Sequence, residues 1–414
     1  MVSKQEPAVH RIDPEQLTED QLAEWEDLLT RQPDPANPFC APEWVTAWYR
    51  AHVPDPADRH LLLVRDAAGT LTGIAPMHLS RSGHPRLGVR RLLLVGAGRR
   101  TPLELPQVLT AAGAARQVHT DLAAHLLDLA ERTGADWSEL ALDREQAWFE
   151  PAWVQASTAP APFYEHRAVR ACVVLPLDGT WDQLRSGLKR NLKESLRRGR
   201  NRLTKSGVRW EIRTLTGADL DDAAVERFFH LHTQRSGFTG TSSTHPDAYA
   251  DPTARALLAD LLPRLAARGR ASLVELVVDG RVGATQLALH APGCSYVHSS
   301  GMDPDYWDYS PVTLLHAEVV RAAVERGDRV VNFSPGPNVS KLRWSERLTV
   351  HDDFAFATAG RAAGLRYAAF DSVARLNRFR RGVATARANS PVPVPTATTT
   401  PRLLQRALTA LHLS

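Results

Sequence analysis

The stretch from Ala271 to Trp344 decides the reading of this chain. It runs ASLVELVVDG (271–280), RVGATQLALHA (281–291), CSYVHSSGMD (294–303), SPVTLLHAEVVRAAVERG (310–327) and RVVNFSPGPNVSKLRW (329–344). The first two runs are apolar and are joined by Asp279-Gly280, residues that tolerate the positive φ of a tight hairpin turn. Two antiparallel strands are therefore expected, followed by a third over 294–303. Ser310 and Pro311 then open a helix, with a hydroxyl at the cap and proline in the first turn. Leu314, Leu315, Val319, Ala322 and Ala323 continue it at helical spacing, and Gly327 ends it. Val330, Val331 and Phe333 begin a further strand. This strand-helix-strand crossover should bring the new strand beside the third run.

Working outward, the first half repeats that order. Helical patterns at Leu17–Leu29 and Pro42–Tyr49 precede HLLLVRDAAG, TLTGIAPMHLS and VRRLLLVGAG, which read as strands, then HTDLAAHLLDLAERTG as a helix and WSELALDR as a strand. The second half begins near Trp181 with a long helix, a strand at VRWEIRTL and helices around 225–229 and 254–265. A divergent internal duplication accounts for the parallel; the alternative is that two unrelated α/β units look alike at this level. The expected domains are 1–170 and 171–360, the second carrying the site, followed by a helical extension (361–387) and a Pro/Thr-rich linker with a short amphipathic tail (388–414).

Composition bounds the function. With 414 residues, 43% hydrophobic and 23% charged, the chain is long enough for two cores and too ordinary for wholesale disorder. The first residues lack an apolar signal region and no run approaches a membrane span, so a cytoplasmic protein is expected. Cys40, Cys172 and Cys294 are scattered without metal-ligand spacing, so no metal is expected. P-loop, G-x-S-x-G and HExxH signatures are absent, which leaves metal-assisted and serine-nucleophile catalysis without support.

Three features carry chemistry instead. A helix start binds anions through its amides and dipole, so Ser310, with Val312 and Thr313 in the first turn, is the expected phosphate site; a purely structural cap is the alternative. Lys189–Lys205, KRNLKESLRRGRNRLTK, has eight basic residues and one acid around a stripe of Leu192, Leu196 and Leu203. Such a helix either holds phosphates of a nucleotide or RNA or is a solvated face. In RFFHLHTQRSGF, His232 and Arg235 share a helix face, and Lys341 and Trp344 close the opening stretch. These four are the candidate substrate contacts.

Taken together, PFCAPEWVTAWYRAH (38–52), LKRNLKESLRRGRNRL (188–203), FFHLHTQRSG (228–237) and NFSPGPNVSKLRW (332–344) resemble the CelD/BcsL branch of the GNAT acyltransferase superfamily, over roughly residues 10–360. The resemblance implies an α/β fold of tandem GNAT-like domains, laid out as in FemABX peptidyltransferases, each a mixed, mostly antiparallel sheet flanked by helices. It implies an N-acyltransferase that moves an acyl group from acyl-CoA (acetyl-CoA) to a primary amine of a small molecule or sugar, with the donor's phosphates at Ser310. In that frame the acyl carbonyl sits on backbone amides near His298, Ser299 and Ser300, His298 or Asp303 takes the amine proton, and Tyr309 protonates the leaving group. A FemABX-like aminoacyl transferase, with tRNA as donor carrier, and a non-catalytic module are the alternatives. The chain departs from the family in MDPDYWDYSPV (302–312), which lacks a glycine-rich loop, in Val312 where the branch has glycine, and in Asn332 where Asp is common.

Overall fold

Local chemistry sets the ends of most elements. The structure, a computed structural model, describes residues 8–33, 35–82, 88–97, 102–143, 152–153, 163–238, 246–357, 363–373 and 376. In chain order these form β1 (Ala8–Ile12), α1 (Glu19–Thr30), α2 (Pro42–His52), β2 (Arg59–Arg65), β3 (Leu71–Ser82), β4 (Val89–Leu94), β5 (Leu109–Thr110), α3 (Ala115–Thr133) and β6 (Trp137–Asp143). There follow β7 (Phe163–Pro176), α4 (Trp181–Gly187), α5 (Arg190–Lys205), β8 (Trp210–Leu215), α6 (Asp222–Ser236), α7 (Pro252–Ala267), β9 (Ala271–Val278), β10 (Arg281–Ala291), β11 (Cys294–Met302), α8 (Pro311–Arg326), β12 (Val330–Pro335) and β13 (Leu348–Ala357). Thr18 and Thr180 close capping boxes on α1 and α4. Asp279 and Gly280 take φ of 49° and 80°, the turn that the sequence demands, and Gly327 at φ 82° caps α8.

The strands form one mixed sheet in the order β1-β2-β3-β4-β6-β13-β7-β12-β11-β10-β9-β8, with β5 on β3. Two pairs are parallel, β4 with β6 and β11 with β12, and each is bridged by its own helix, α3 or α8. The two halves thus repeat a strand-helix-strand crossover. They do not form separate sheets: β7 pairs with β12, β13 pairs with β6, and β7 and β13 pair with each other over ten register positions. The backbone hydrogen bonds of one half run without a break into the other. Residues 363–373 are helical, and Tyr367 packs edge-on against Trp137 of β6 at 5.2 Å. The expectation for 388–414 lies outside the described residues.

Apolar residues sort the helices onto two faces. One face carries α1, α2, α6 and α7 in a single core that includes Trp44, Trp48, Phe228 and Leu258 from both halves. Arg268 and Arg270 reinforce that contact by pairing with Glu26 and Glu43. On the other face α3 covers the first half, and α4, α5 and α8 cover the second. Leu192, Leu196 and Leu203 of α5 are buried as their spacing predicts.

Candidate active site

Register creates the site. β11 and β12 pair only at Cys294–Val330, Ser295–Val331 and Tyr296–Asn332, after which β11 runs on to Met302 and β12 to Pro335 without pairing to each other. Parallel strands that part in this way leave a wedge between them. Because α8 follows β11 and precedes β12, its N-terminus lies at the open end. There Ser310 has φ 52° and makes no side-chain capping bond, so the hydroxyl expected to cap the helix does not do so. Thr313 and Leu314 donate their amides to the Ser310 carbonyl.

A second irregularity shapes the wedge wall. β10 and β11 pair as Gln286–Ser300 but as Ala288–Val297, so Leu287 faces both His298 and Ser299. This is a β-bulge, which re-aims side chains and frees backbone from the ladder. It brings Ser299 Oγ to 2.8 Å from His298 Nδ1. His298 Nε2 lies 2.7 Å from the carbonyl of Pro102, which can only accept, so the Nε2–H donates there and Nδ1 accepts from Ser299. Tyr249 donates its hydroxyl to Ser299 Oγ at 2.9 Å. The result is a directed chain, Tyr249 to Ser299 to His298 to Pro102, that crosses from one half to the other. His298 is 8% exposed and has both nitrogens engaged, so any proton it takes from a ligand must pass through Ser299.

The remaining residues singled out in the sequence divide between this wedge and its supports. His232 donates from Nδ1 to the Ser300 carbonyl at 3.0 Å and accepts the Ala248 amide at Nε2, and burial lowers its pKa, so it is neutral. Arg235 donates to the carbonyl and the hydroxyl of Ser300; burial brings its pKa down to about 10, which leaves it charged at neutral pH. Lys341 gives bonds of 3.2, 3.0 and 2.7 Å to Ser334 O, Ser334 Oγ and Pro335 O, holding Ser334 at φ 63°. Its three donors are thus spent on the end of β12. Trp344 is 5% exposed and stacks on Phe333 at 5.4 Å, which makes it core behind the wedge. Asp303 caps the 3₁₀ turn Pro304–Tyr309 and pairs with Arg281 at 2.7 Å. Tyr309 ends that turn at the wedge mouth.

Several residues that the sequence reading passed over belong here. Tyr296 donates to Glu104 at 2.7 Å across the two halves. Gln286 donates to the Ser299 carbonyl at 3.1 Å and accepts His316 Nε2–H at 3.0 Å, tying α8 to the bulge. Glu104, Cys172 and Arg235 lie within electrostatic reach of Lys341, and Arg235 and Lys341 within reach of His316, so the cluster holds two partly buried cations beside one carboxylate. Among the described residues no group of three or more ligating side chains could hold a metal, and no helix is long and apolar enough to cross a membrane.

Buried histidines give this fold a pH dependence. Burial above all pushes His316 down to about 3 and His351 to about 4. Above pH 6.5 each is neutral folded or unfolded; between 6.5 and those values the unfolded chain binds protons that the folded chain refuses, so stability falls as pH falls, by about 1.4 kcal/mol per unit of depression. Melting temperature should drop from pH 7.5 to pH 5, and His316→Gln should flatten that slope; an unchanged slope in the variant would remove His316 as its source.

The chain resembles known proteins in part of its sequence and in its fold. Residues 190–342 match the family model described as "Acetyltransferase (GNAT) domain". No curated protein sequence matches the chain. The crystal structure of FemX superposes with a TM-score of 0.55 at 11% identity, covering 83% of this chain and 96% of FemX. A conserved protein of unknown function from Bacteroides thetaiotaomicron gives 0.53 at 13% identity, covering 84% of this chain and 100% of its own. A tandem GNAT protein from the clavulanic acid biosynthesis pathway gives 0.44 at 13% identity, covering 86% and 99%. The chain therefore has the FemX fold, and the part of it that matches the GNAT acetyltransferase model spans α5 to β12, which includes both strands of the wedge and the helix that opens on it.

Proposed function

We propose that this protein is an N-acyltransferase of the CelD/BcsL type that moves an acyl group from a thioester donor such as acyl-CoA to a primary amine of a small molecule or sugar by direct attack. The match of residues 190–342 to a GNAT acetyltransferase domain supports a transferase. The observation that carries the reaction type is the wedge: β11 and β12 part after three paired positions, with a bulge on one wall and the start of α8 at the mouth. A thioester arm enters at Ser310, Val312 and Thr313, and the acyl carbonyl lies against the bulge amides at His298–Ser300, where Arg235 adds positive charge. The amine nitrogen attacks the carbonyl carbon, the C–N bond forms and the C–S bond breaks. Its proton moves to Ser299 Oγ as Ser299 passes its own to His298 Nδ1. The departing sulfur is protonated by Tyr309. Asp303, engaged by Arg281 and the turn, shapes the mouth.

A ligand that binds only the folded chain raises its melting temperature. Acetyl-CoA or a longer acyl-CoA should do so, and free thiol should appear only when a primary amine is present. A shift with charged tRNA and none with any CoA ester would replace the thioester by an aminoacyl donor; no shift with either would leave a binding module.

A further inference from the structure

The basic helix α5 is not used by the wedge, yet it flanks the entrance. Gly199 lies so close to the 3₁₀ turn that a Cβ there would meet Tyr309 O at 2.5 Å, and Arg202 donates to Asp308 O at 2.5 Å. With its leucines turned inward, α5 shows Arg190, Lys193, Arg197, Arg198, Arg200 and Lys205 to solvent. Glu194 is the one acid on the helix and is taken by Arg197 and Arg198. Arg190, Arg200 and Lys205 form no ion pair among the described residues. Arg190, Lys193, Arg197 and Arg200 follow one another by three or four positions, a straight stripe on a helix about 24 Å long. Beside it Trp307 is 45% exposed and packs against Phe238 at 5.1 Å, an apolar contact next to the charge.

We infer that α5 and Trp307 form the docking surface for an acidic carrier protein that presents the acyl group as a thioester on a phosphopantetheine arm. This deepens the acyl-transfer reading and rests on it. Charge selects the partner. A polyphosphate donor would bring several negative charges past the mouth, where Asp305 and Asp308 are exposed, no glycine loop offers amides, and Pro311 withdraws one from the first turn of α8. A nucleic acid would bring still more. An acidic protein places its charge on α5, where the bases are, and passes only a slender arm with one phosphodiester by the acids. A lipid surface fits less well, because the apolar stripe of α5 is in the core and cannot enter a membrane. An exposed aromatic beside a charged rim is also the anatomy of a protein interface.

The test compares octanoyl-loaded bacterial acyl carrier protein with octanoyl-CoA as donors, in the full chain and in Arg190→Glu/Lys193→Glu/Arg200→Glu, with the corresponding Gln variant as the milder control should charge reversal impair folding. The carrier should be the better donor by about tenfold in kcat/KM, with steep salt dependence, and the variant should lose about that factor with the carrier while octanoyl-CoA turnover stays within about twofold. Equal donors, or an equal loss with both, would overturn the inference. So would variant-sensitive retention of tRNA without retention of the carrier. If neither thioester turns over in the unaltered chain, acyl transfer itself fails; carrier binding measured by calorimetry then still decides the surface, since variant-sensitive binding upholds it and its absence ends it.

Discussion

Replacing His298 with alanine should lower amide formation by about 10²- to 10⁴-fold, the range that a positioned acid-base group contributes. The expectation follows from the direction of its hydrogen bonds. The Pro102 carbonyl fixes Nε2 as the protonated nitrogen, which leaves Nδ1 as an acceptor aimed at Ser299 Oγ. Ser299 is the group that meets the amine, so Ser299→Ala should cause a loss of similar size, and the double variant little more than either single one, because two members of one relay are not additive. Ser299→Ala also separates chemistry from architecture: it leaves the His298–Pro102 bond between the halves intact. If that bond were the whole function of His298, Ser299→Ala would retain activity and only His298→Ala would lose it. Tyr249→Phe removes the donor to Ser299 and should cost less, since the proton path survives. Turnover of His298→Ala within threefold of the unaltered chain would falsify the relay.

How much of this was legible in the sequence depends on how local its cause is. Asp279-Gly280, Gly327 and the leucine stripe of α5 act within a few residues, and the hairpin, the end of α8 and the buried face of α5 follow from them. The strands that join the halves were not read. β7 and β13 lie outside the predicted elements, as does the edge strand β1, and HDDFAFA in β13 carries two adjacent acids that break the apolar alternation of a strand; its pairing with both β6 and β7 is a tertiary outcome. His298, Ser299 and Ser300 follow only from the resemblance to GNAT acyltransferases, and the bulge that joins His298 to Ser299 is a matter of register, which one strand does not reveal. Tyr249, Gln286, His316 and Glu104 had no spacing to betray them, since Glu104 meets Tyr296 across 192 positions of chain. Trp344 shows the opposite error: an aromatic beside two cations reads as a site edge, whereas Phe333 gives it a core partner.

Gly301→Ala should destabilise the chain by about 3 kcal/mol, the upper range for overpacking, and cut activity at least about 100-fold, the cost of an ångström-scale misplacement. A Cβ at 301 would lie 2.6 Å from His232 N and 2.7 Å from Leu231 C, both backbone atoms of α6. Backbone inside a helix cannot rotate away as a side chain can, so α6 must lift from β11. The bonds from His232 and Arg235 to Ser300 span that same contact, and they lengthen when it opens. The wall of the wedge then loses both its rigidity and its nearby positive charge. Gly283 supplies the comparison. Its added Cβ would approach Cγ and Cδ1 of the Tyr306 ring at 2.8 Å, a comparably short contact, but with a partly buried side chain carried on the 3₁₀ turn rather than with helix backbone. Gly283→Ala should therefore cost much less in both stability and turnover. Urea unfolding at unchanged m-value measures the first quantity, and thiol release with a primary amine measures the second. Equal behaviour of the two variants would mean that α6 yields as readily as a tyrosine ring, and the close packing of α6 on β11 would no longer explain how Arg235 is held against the site.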